Sequence, residues 1–258
     1  MLLLTYNVLA SSYIRPKYYP SSPPEALGDD LRMPLLVERI VALDADVLCL
    51  QEVESNSLEA LRRALPHHAC QFLPKGQGKP DGCATFVRSS EGLEWREIRF
   101  ADSGPANRRP SGHVALIAEM TLDGRRLTIA NTHLKWDPPA VRGSERWGYR
   151  QATLLLGELQ HSDKVLCGDL NVVPGDEILA LIAAAGLLDG FRDEPRPSAV
   201  TNGKAQRIDY VFHSSSLRAR ARAGRPLSNK TVMPSLQEPS DHLPVVVELD
   251  WATSSSQK

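Results

Sequence analysis

The segment KVLCGDLN, residues 164–171, decides how the rest of the chain is read. Val165, Leu166 and Cys167 form a short apolar run after a lysine, the pattern of a buried strand. Gly168 then frees the backbone, and Asp169 and Asn171 follow two residues apart. At strand spacing, residues i and i+2 project to the same side. A carboxylate and a neutral amide therefore emerge together from the end of a buried strand. The carboxylate can hold a cation or a water while the amide donates to a phosphate oxygen. The same GDxN also suits an Asx-type turn that closes the strand. Matching pieces elsewhere in the chain have to decide.

Toward the N-terminus the theme recurs. Residues 2–8, LLLTYNV, read as a strand with Asn7 near its end, and ADVLCLQEV (45–53) as a continuous buried strand ending in Gln51 and Glu52. A carboxylate where a buried strand emerges is costly unless compensated, by a divalent cation or by a neighbouring arginine. Between the two strands, residues 9–33 form a long polar segment rich in Pro and Tyr. Loops of that length in compact domains are commonly functional, and the tyrosines point to a lid or wall beside a site. Residues 34–43 carry apolar positions at helical spacing with Pro34 in the first turn. Residues 55–65 read as a helix with Ser55 as N-cap.

Strands are expected over residues 81–88 and about 93–100, and a hairpin over 113–120 and 125–131 around Asp123-Gly124. The loop between, ADSGPANRRPSG, carries Arg108 and Arg109, either solvated or in contact with phosphate. The hairpin leads into NTHLKWDP, residues 131–138. His133 is a hydrogen-bonded structural residue or a catalyst. Trp136, Arg142 and an amphipathic helix with Arg146 and Arg150 follow it, and such a set can meet phosphate and stack on a base. Residues 174–188 read as a helix, and RIDYVF (207–212) as a strand opening on Arg207 and Asp209, the makings of a salt bridge. LRARARAG (217–224) sets Arg218, Arg220 and Arg222 on one face, as a solvated edge strand that resists aggregation or an RNA-binding stripe. SDHLP (240–244) enters the strand VVVEL. Its Asp241 and His242 form a hydrogen-bonded turn, or a histidine held by Asp209 that works on a phosphate.

Composition narrows the class. At 258 residues, 42% hydrophobic and 24% charged, the chain has the make-up of a soluble globular protein with one sizeable core. No stretch approaches the roughly 18 apolar residues of a membrane helix, and MLLLTYNVLA lacks the basic region and cleavage site of a leader. Cys49, Cys70, Cys83 and Cys167 are scattered without CxxC spacing, as buried free thiols of a reducing cytoplasm would be. A net charge of −1 supplies no global field to attract nucleic acid, so a polyanion has to be met by local clusters.

TYNV, LQEV, NTHL, GDLN, RIDYVF and SDHLPV, in that order from residue 5 to 245, resemble the motif series of the endonuclease/exonuclease/phosphatase family. YYPSSPPEAL, DGCATFV and NTHLKWDP resemble its deadenylase, nocturnin and angel branch. The resemblance implies an α/β fold, a four-layer sandwich of two mixed β-sheets packed face to face with helices outside. Residues 1–250 would form a single catalytic domain and 251–258 a polar tail. Glu52 would be the principal Mg²⁺ ligand, with Asn7, Asp241 and Asp169 around the ion; Mn²⁺ is the natural substitute, with one ion or two. His133 and Asn171 would contact the scissile phosphate, and Asp169 would orient or deprotonate the attacking water. His242, buttressed by Asp209, would stabilise the transition state.

The activity implied is Mg²⁺-dependent phosphodiester hydrolysis at RNA ends, most simply 3′→5′ exonucleolytic. The alternative is removal of a terminal or 2′,3′-cyclic phosphate from RNA or a nucleotide. A non-catalytic module would show loss of a metal carboxylate or of the SDH histidine, and neither is missing. Candidate substrate contacts are Trp136, Pro138, Arg146, Arg150, Lys204 and Arg207. Deadenylases of this kind place an aromatic residue five positions before the catalytic aspartate, where this chain has Lys204, which stacks poorly. The expected partner is an RNA 3′ end or a nucleotide, met by a monomeric domain away from membranes, alone or within a longer chain.

Overall fold

The computed structural model describes residues 1–88, 91–100, 109–193 and 195–252. The chain opens with β1 (Leu2–Asn7), α1 (Asp29–Leu43), β2 (Val47–Val53), α2 (Ser55–Ala64), β3 (His68–Pro74) and β4 (Gly82–Arg88). Next come β5 (Glu94–Arg99), β6 (Val114–Leu122), β7 (Arg125–His133), α3 (Trp147–Glu158), β8 (Lys164–Asp169) and α4 (Glu177–Ala184). Short strands β9 (Leu187–Asp189), β10 (Ala199–Thr201) and β11 (Lys204–Gln206) lead to β12 (Asp209–Ser214), β13 (Leu217–Ala221) and β14 (Val245–Trp251).

Two six-stranded sheets result, ordered β13-β14-β1-β2-β4-β3 and β5-β6-β7-β8-β12-β9. Each is mixed: β1 runs parallel to β2 and β7 to β8, while their other neighbours are antiparallel. The inner faces meet through Leu3, Val47 and Val247 on one side and Ile129, Val165 and Val211 on the other. On the outer faces, Leu36, Ile40 and Leu61 of α1 and α2 cover the first sheet, while Leu155, Ile178 and Ile182 of α3 and α4 cover the second. The expected four layers are therefore present. Strands buried on both faces lose the alternation of a half-exposed strand, and VLCLQEV shows this with six of its seven residues buried.

A polar bridge crosses the apolar interface. The Gln51 Nε2 donates to Thr5 Oγ1 at 3.0 Å and to Asn131 Oδ1, on the opposite sheet, at 2.7 Å. Asn131 returns its Nδ2 to the carbonyls of Leu50 and Ala84 and to Thr85 Oγ1, at 3.0–3.2 Å. Both side chains are fully buried, so each needs its partners, and together they fix the offset of the two sheets next to the site.

Several boundaries differ from the sequence expectation. Helix α1 begins at Asp29, so Pro34 lies inside it and Asp30 loses the amide that would have bonded its carbonyl. The earlier start is stabilised by Asp29 and Asp30 in the first turn and by Arg32. That buried side chain donates to the carbonyls of Val8 and Pro239 and to Ser11 Oγ, at 2.8–3.2 Å. Glu54, not Ser55, caps α2, in a reciprocal capping box with Ser57. Helix α4 is shorter than expected, because Asp176 caps it at Ile178 and Gly186, at φ +81°, turns the chain into β9. Strand β3 and the β10–β11 hairpin lie in stretches with no strand expectation. The Asp123-Gly124 turn is as expected, with φ of +49° and +76°, and β13 is an edge strand with Arg218 and Arg220 exposed. All four cysteines are free, three of them buried. Among the described residues no helix is long and apolar enough to cross a membrane. Of the tail expected over 251–258, Trp251 is the last residue of β14, paired with Leu217, while residues 253–258 and Arg108 lie outside the described residues.

Candidate active site

The polar strand ends gather at one end of the sandwich. Asn7 closes β1, and Glu52 leaves β2 where the pairing with β4 slips between Leu50 and Val53. Its φ of +57° is the left-handed backbone of a bulge, which re-aims the carboxylate out of the ladder. Across the gap, the registers of β7, β8 and β12 set His133, Asp169 and Asp209 in one row. Gly168 makes that row possible: a Cβ there would lie 1.8 Å from the Thr132 carbonyl oxygen of the adjacent strand. The segment before β14 adds Asp241 and His242, the latter bridged to Ala199.

Asn7 links the two sheets at this end. Its Nδ2 donates to Glu52 Oε1 at 3.1 Å and to Asp169 Oδ2 at 3.0 Å, while its Oδ1 accepts from the Leu9 amide at 3.0 Å. Asn7 thus orients two carboxylates rather than offering its oxygen to an ion. The Ala10 amide donates to the other Glu52 oxygen at 3.0 Å. Asp169 serves both of the uses open to GDxN. Its Oδ1 accepts from the Asn171 amide at 2.9 Å, which is the Asx turn. Its Oδ2 lies 3.6 Å from His133 Nε2 and 3.8 Å from His242 Nε2.

His242 Nδ1 sits 2.9 and 3.1 Å from the two oxygens of Asp209, which also accepts from Ser198 Oγ at 2.6 Å. Burial alone would depress this histidine, but Asp209, then Asp169 and Asp241, hold its pKa well above the ordinary value. These carboxylates therefore favour the protonated form of the His242 ring. Burial and then the Asp209 charge push Asp169 up to about 7. Burial raises Glu52 and Asp241 as well, and the Asp241 charge raises Glu52 further. His133 goes the other way, depressed by burial and then by Lys75.

Buried carboxylates whose ionisation is disfavoured by burial and by one another fit a site completed by a cation. Asp169, Asp209 and His242 offer ligand atoms within 4.8 Å of one another, and within that group Asp209 and His242 are engaged with each other. Glu52 and Asp241 line the same cleft and add two further carboxylates to it.

Glu52, His133, Asp169, Asn171, Asp241 and His242 floor a cleft of ≈ 790 Å³ also lined by Tyr18, Tyr19, Trp136, Pro139, Arg146, Val173, Asn202 and Gln206. The Tyr-rich segment is a wall: Tyr19 donates to Asp241 Oδ2 at 3.1 Å and Tyr13 to Asp81 Oδ1 at 2.6 Å. Glu54 anchors that segment through the Ser11 amide at 2.7 Å. Of the six substrate contacts expected from sequence, Trp136 and Arg146 line the cleft, although the guanidinium of Arg146 is held by Asp176 and Glu177 at 2.9–3.1 Å.

The other four do not line it. Pro138 is exposed beside Pro139, which takes the lining position, because Asp137 is drawn inward to accept the Gly148 amide at the start of α3, at 2.9 Å. Lys204 shares a hairpin face with Gln206 but lies two pairs further out, exposed at the tip. Arg150 turns back along α3 to the Ser144 carbonyl. Arg207 is buried behind the site, paired with Asp189 at 2.5 Å and stacked 4.6 Å over Tyr210.

Sequence reasoning missed Lys75, Asp81 and His113, and anticipated Tyr13 and Tyr19 only as part of a wall. Lys75 Nζ lies 2.6 Å from Asp81 Oδ2 and 3.2 Å from His133 Nδ1, and the His113 ring packs edge-on against His133 at 5.6 Å. The available signal was a lysine and an aspartate closing one hairpin, at the end of β3 and the start of β4.

A set of carboxylates and histidines gathered at the mouth of a two-sheet sandwich is the site of a metal-dependent phosphoesterase, and the family match shows the same class. The chain belongs to the endonuclease/exonuclease/phosphatase family, whose sequence profile matches residues 4–242. It is 27% identical to nocturnin of Xenopus laevis over 284 residues, which covers 96% of this chain and 72% of that protein. Over 165 residues, 52% of this chain, it is 34% identical to the CCR4-Not complex 3′-5′-exoribonuclease subunit Ccr4 of Coccidioides immitis (strain RS), but it spans only 22% of that subunit. In fold it is similar to ANGEL2, a 2′,3′-cyclic phosphatase, with a TM-score of 0.83 at 22% identity, covering 96% of this chain and 94% of that one.

Proposed function

We propose that this protein is a Mg²⁺-dependent phosphodiesterase acting on RNA 3′ ends as a 3′→5′ exoribonuclease. The observation that carries the reading is the cleft: a carboxylate and histidine floor under a rim of exposed Tyr18 and Trp136. Flat rings above a cation and phosphate site suit a terminal nucleotide, because any base can stack on them. The activity named for the Ccr4 relative supports the same choice.

Glu52 and Asp241 would hold Mg²⁺, which when bound neutralises phosphate charge and lowers the pKa of water. Asp169, poised near neutrality, accepts the proton of the attacking water, since a base works best with a pKa near the working pH. His133 Nε2 and Asn171 Nδ2 donate to non-bridging oxygens. The His242 imidazolium, held by Asp209, offsets the charge that develops in the transition state.

The test is a 5′-labelled RNA panel with matched DNA, ending in 3′-OH, 3′-phosphate or 2′,3′-cyclic phosphate, incubated with Mg²⁺, Mn²⁺ or EDTA. A metal-dependent descending RNA ladder is expected. Intact chains that lose only a terminal phosphate overturn the exonuclease reading and make the protein an end-trimming phosphatase on the same site.

A further inference from the structure

We propose that Lys75 is a positioning residue that fixes the tautomer of His133, keeping its single proton on Nε2, the nitrogen that faces the cleft. The inference deepens the hydrolase reading and rests on it only for the consequence in turnover.

Both ring nitrogens of His133 face donors, Lys75 at Nδ1 and the Asn171 amide nitrogen at Nε2, and the positive charge on Lys75 decides between the two tautomers. Lys75 is buried, its side chain 2% exposed, and it is paired with the fully buried Asp81 at 2.6 Å. Tyr13 donates to the second oxygen of the same aspartate at 2.6 Å, so the carboxylate is held from both sides and the ammonium has little freedom to swing. Its Nζ lies 3.2 Å from His133 Nδ1. An ammonium has donors only, so Nδ1 has to accept, and a neutral ring then carries its proton on Nε2. The opposite tautomer would press an N–H against a cation in a site from which water is excluded.

The other side of the ring explains why this matters. Asn171 Nδ2 is fixed as a donor by the Leu134 carbonyl at 3.0 Å, and it lies 2.9 Å from His133 Nε2. With the proton on Nε2, two N–H donors whose nitrogens lie 2.9 Å apart compete at the cleft floor until an acceptor enters between them. The acceptor nearest the ring among the site's carboxylates is Asp169 Oδ2, 3.6 Å from Nε2. Two converging donors call for an oxygen anion between them, which is what a non-bridging phosphate oxygen provides. Lys75 thereby prepares a phosphate cradle it does not itself touch. The sequence carries the device as a lysine and an aspartate on either side of the β3–β4 turn.

The direct test is nitrogen-15 correlation NMR of the histidines in the full-length protein, with His133 assigned by its substitution. The expected spectrum shows His133 neutral and protonated at Nε2. A ring protonated at Nδ1, or at both nitrogens, overturns the proposal whatever the enzyme hydrolyses. The second test is a cycle of Lys75→Met and His133→Ala. Lys75→Met should shift His133 toward the Nδ1–H form and lower kcat by about 10–100-fold, the range for loss of a partner that orients a functional histidine, with KM little changed. In the His133→Ala background the same change should cost nothing further. An equal loss in both backgrounds means that Lys75 acts on substrate or on the fold, and sinks the idea. Should Lys75→Met not fold, the wild-type spectrum alone decides.

Discussion

Asp169 is engaged from four directions, by Asn7, Asn171, His133 and His242, and burial with the Asp209 charge pushes its pKa up to about 7. Its ionised form is therefore bought at some expense of stability. Asp169→Asn, nearly isosteric, should abolish turnover by about two to three decades while the melting temperature holds or rises. A variant with wild-type rates would remove Asp169 from the mechanism.

The pH profile follows from the same groups. Asp169 has to be ionised to accept a proton, so at limiting metal kcat/KM should rise with pH toward about 7. Glu52 and Asp241, both raised by burial, have to lose protons to bind a cation, so Mg²⁺ affinity should weaken as pH falls. Calorimetric titration at pH 6 and pH 8 checks the sign. His242, held high by Asp209, loses its proton only on the alkaline side. Asp209→Asn removes a charge that raises both groups, so both limbs of the profile should move to lower pH. A limb that moves upward contradicts the assignment.

At the scale of elements, local pattern and tertiary demand compete. The apolar runs of β1, β2, β8 and β14 were readable because burial on both faces leaves an unbroken hydrophobic signature. Strand β3 was not, since HACQFLP is mostly half-buried and carries neither clean alternation nor a continuous run. The start of α1 was hidden because DDLRM looks polar, while what holds it is Arg32 reaching the carbonyls of Val8 and Pro239, the latter 207 positions away. The Gln51–Asn131 bridge belongs to this scale too. Asn131→Leu leaves the partners of a buried amide unsatisfied, which costs about 1–3 kcal/mol, and it should loosen the sheet offset beneath the site. A lower urea midpoint together with reduced turnover is expected, and an unchanged midpoint would show that the bridge is dispensable. Gly168→Ala should be worse, because the new Cβ would meet the Thr132 backbone, which cannot yield without breaking the β7–β8 pairing. Loss of soluble folded protein is the expected readout.

For the molecule as a whole, the sandwich brings the ends of two sheets together, and the cleft opens where the strand ends and the loops around them meet. Trp136, 52% exposed, contributes little to the core, so Trp136→Ala should leave the melting temperature unchanged. If a terminal base stacks there, kcat/KM on RNA should drop in line with about 1–3 kcal/mol for a lost stack, while a small phosphate ester without a base is hydrolysed as before. Equal losses on both substrates would assign Trp136 to the cleft wall alone.

By itself the sequence determined apolar strands that end in polar groups, at Glu52, His133, Asp169, Asn171, Asp209, Asp241 and His242, while the two-sheet architecture and the roles expected of those residues came from the resemblance of the motif series. Each is a polar group at the end of an apolar strand, and burying such a group without a use is too costly to be incidental. Only the tertiary structure decided what surrounds them. It turned Arg207 and Arg150 away from the cleft, left Lys204 at a hairpin tip, and brought Lys75, Asp81, Tyr13 and Tyr19 in to support the floor. Hydrophobic periodicity reports which face of an element is buried. The direction of a long polar side chain depends on which partner lies within about 3 Å of it, and that is fixed only when distant segments have packed.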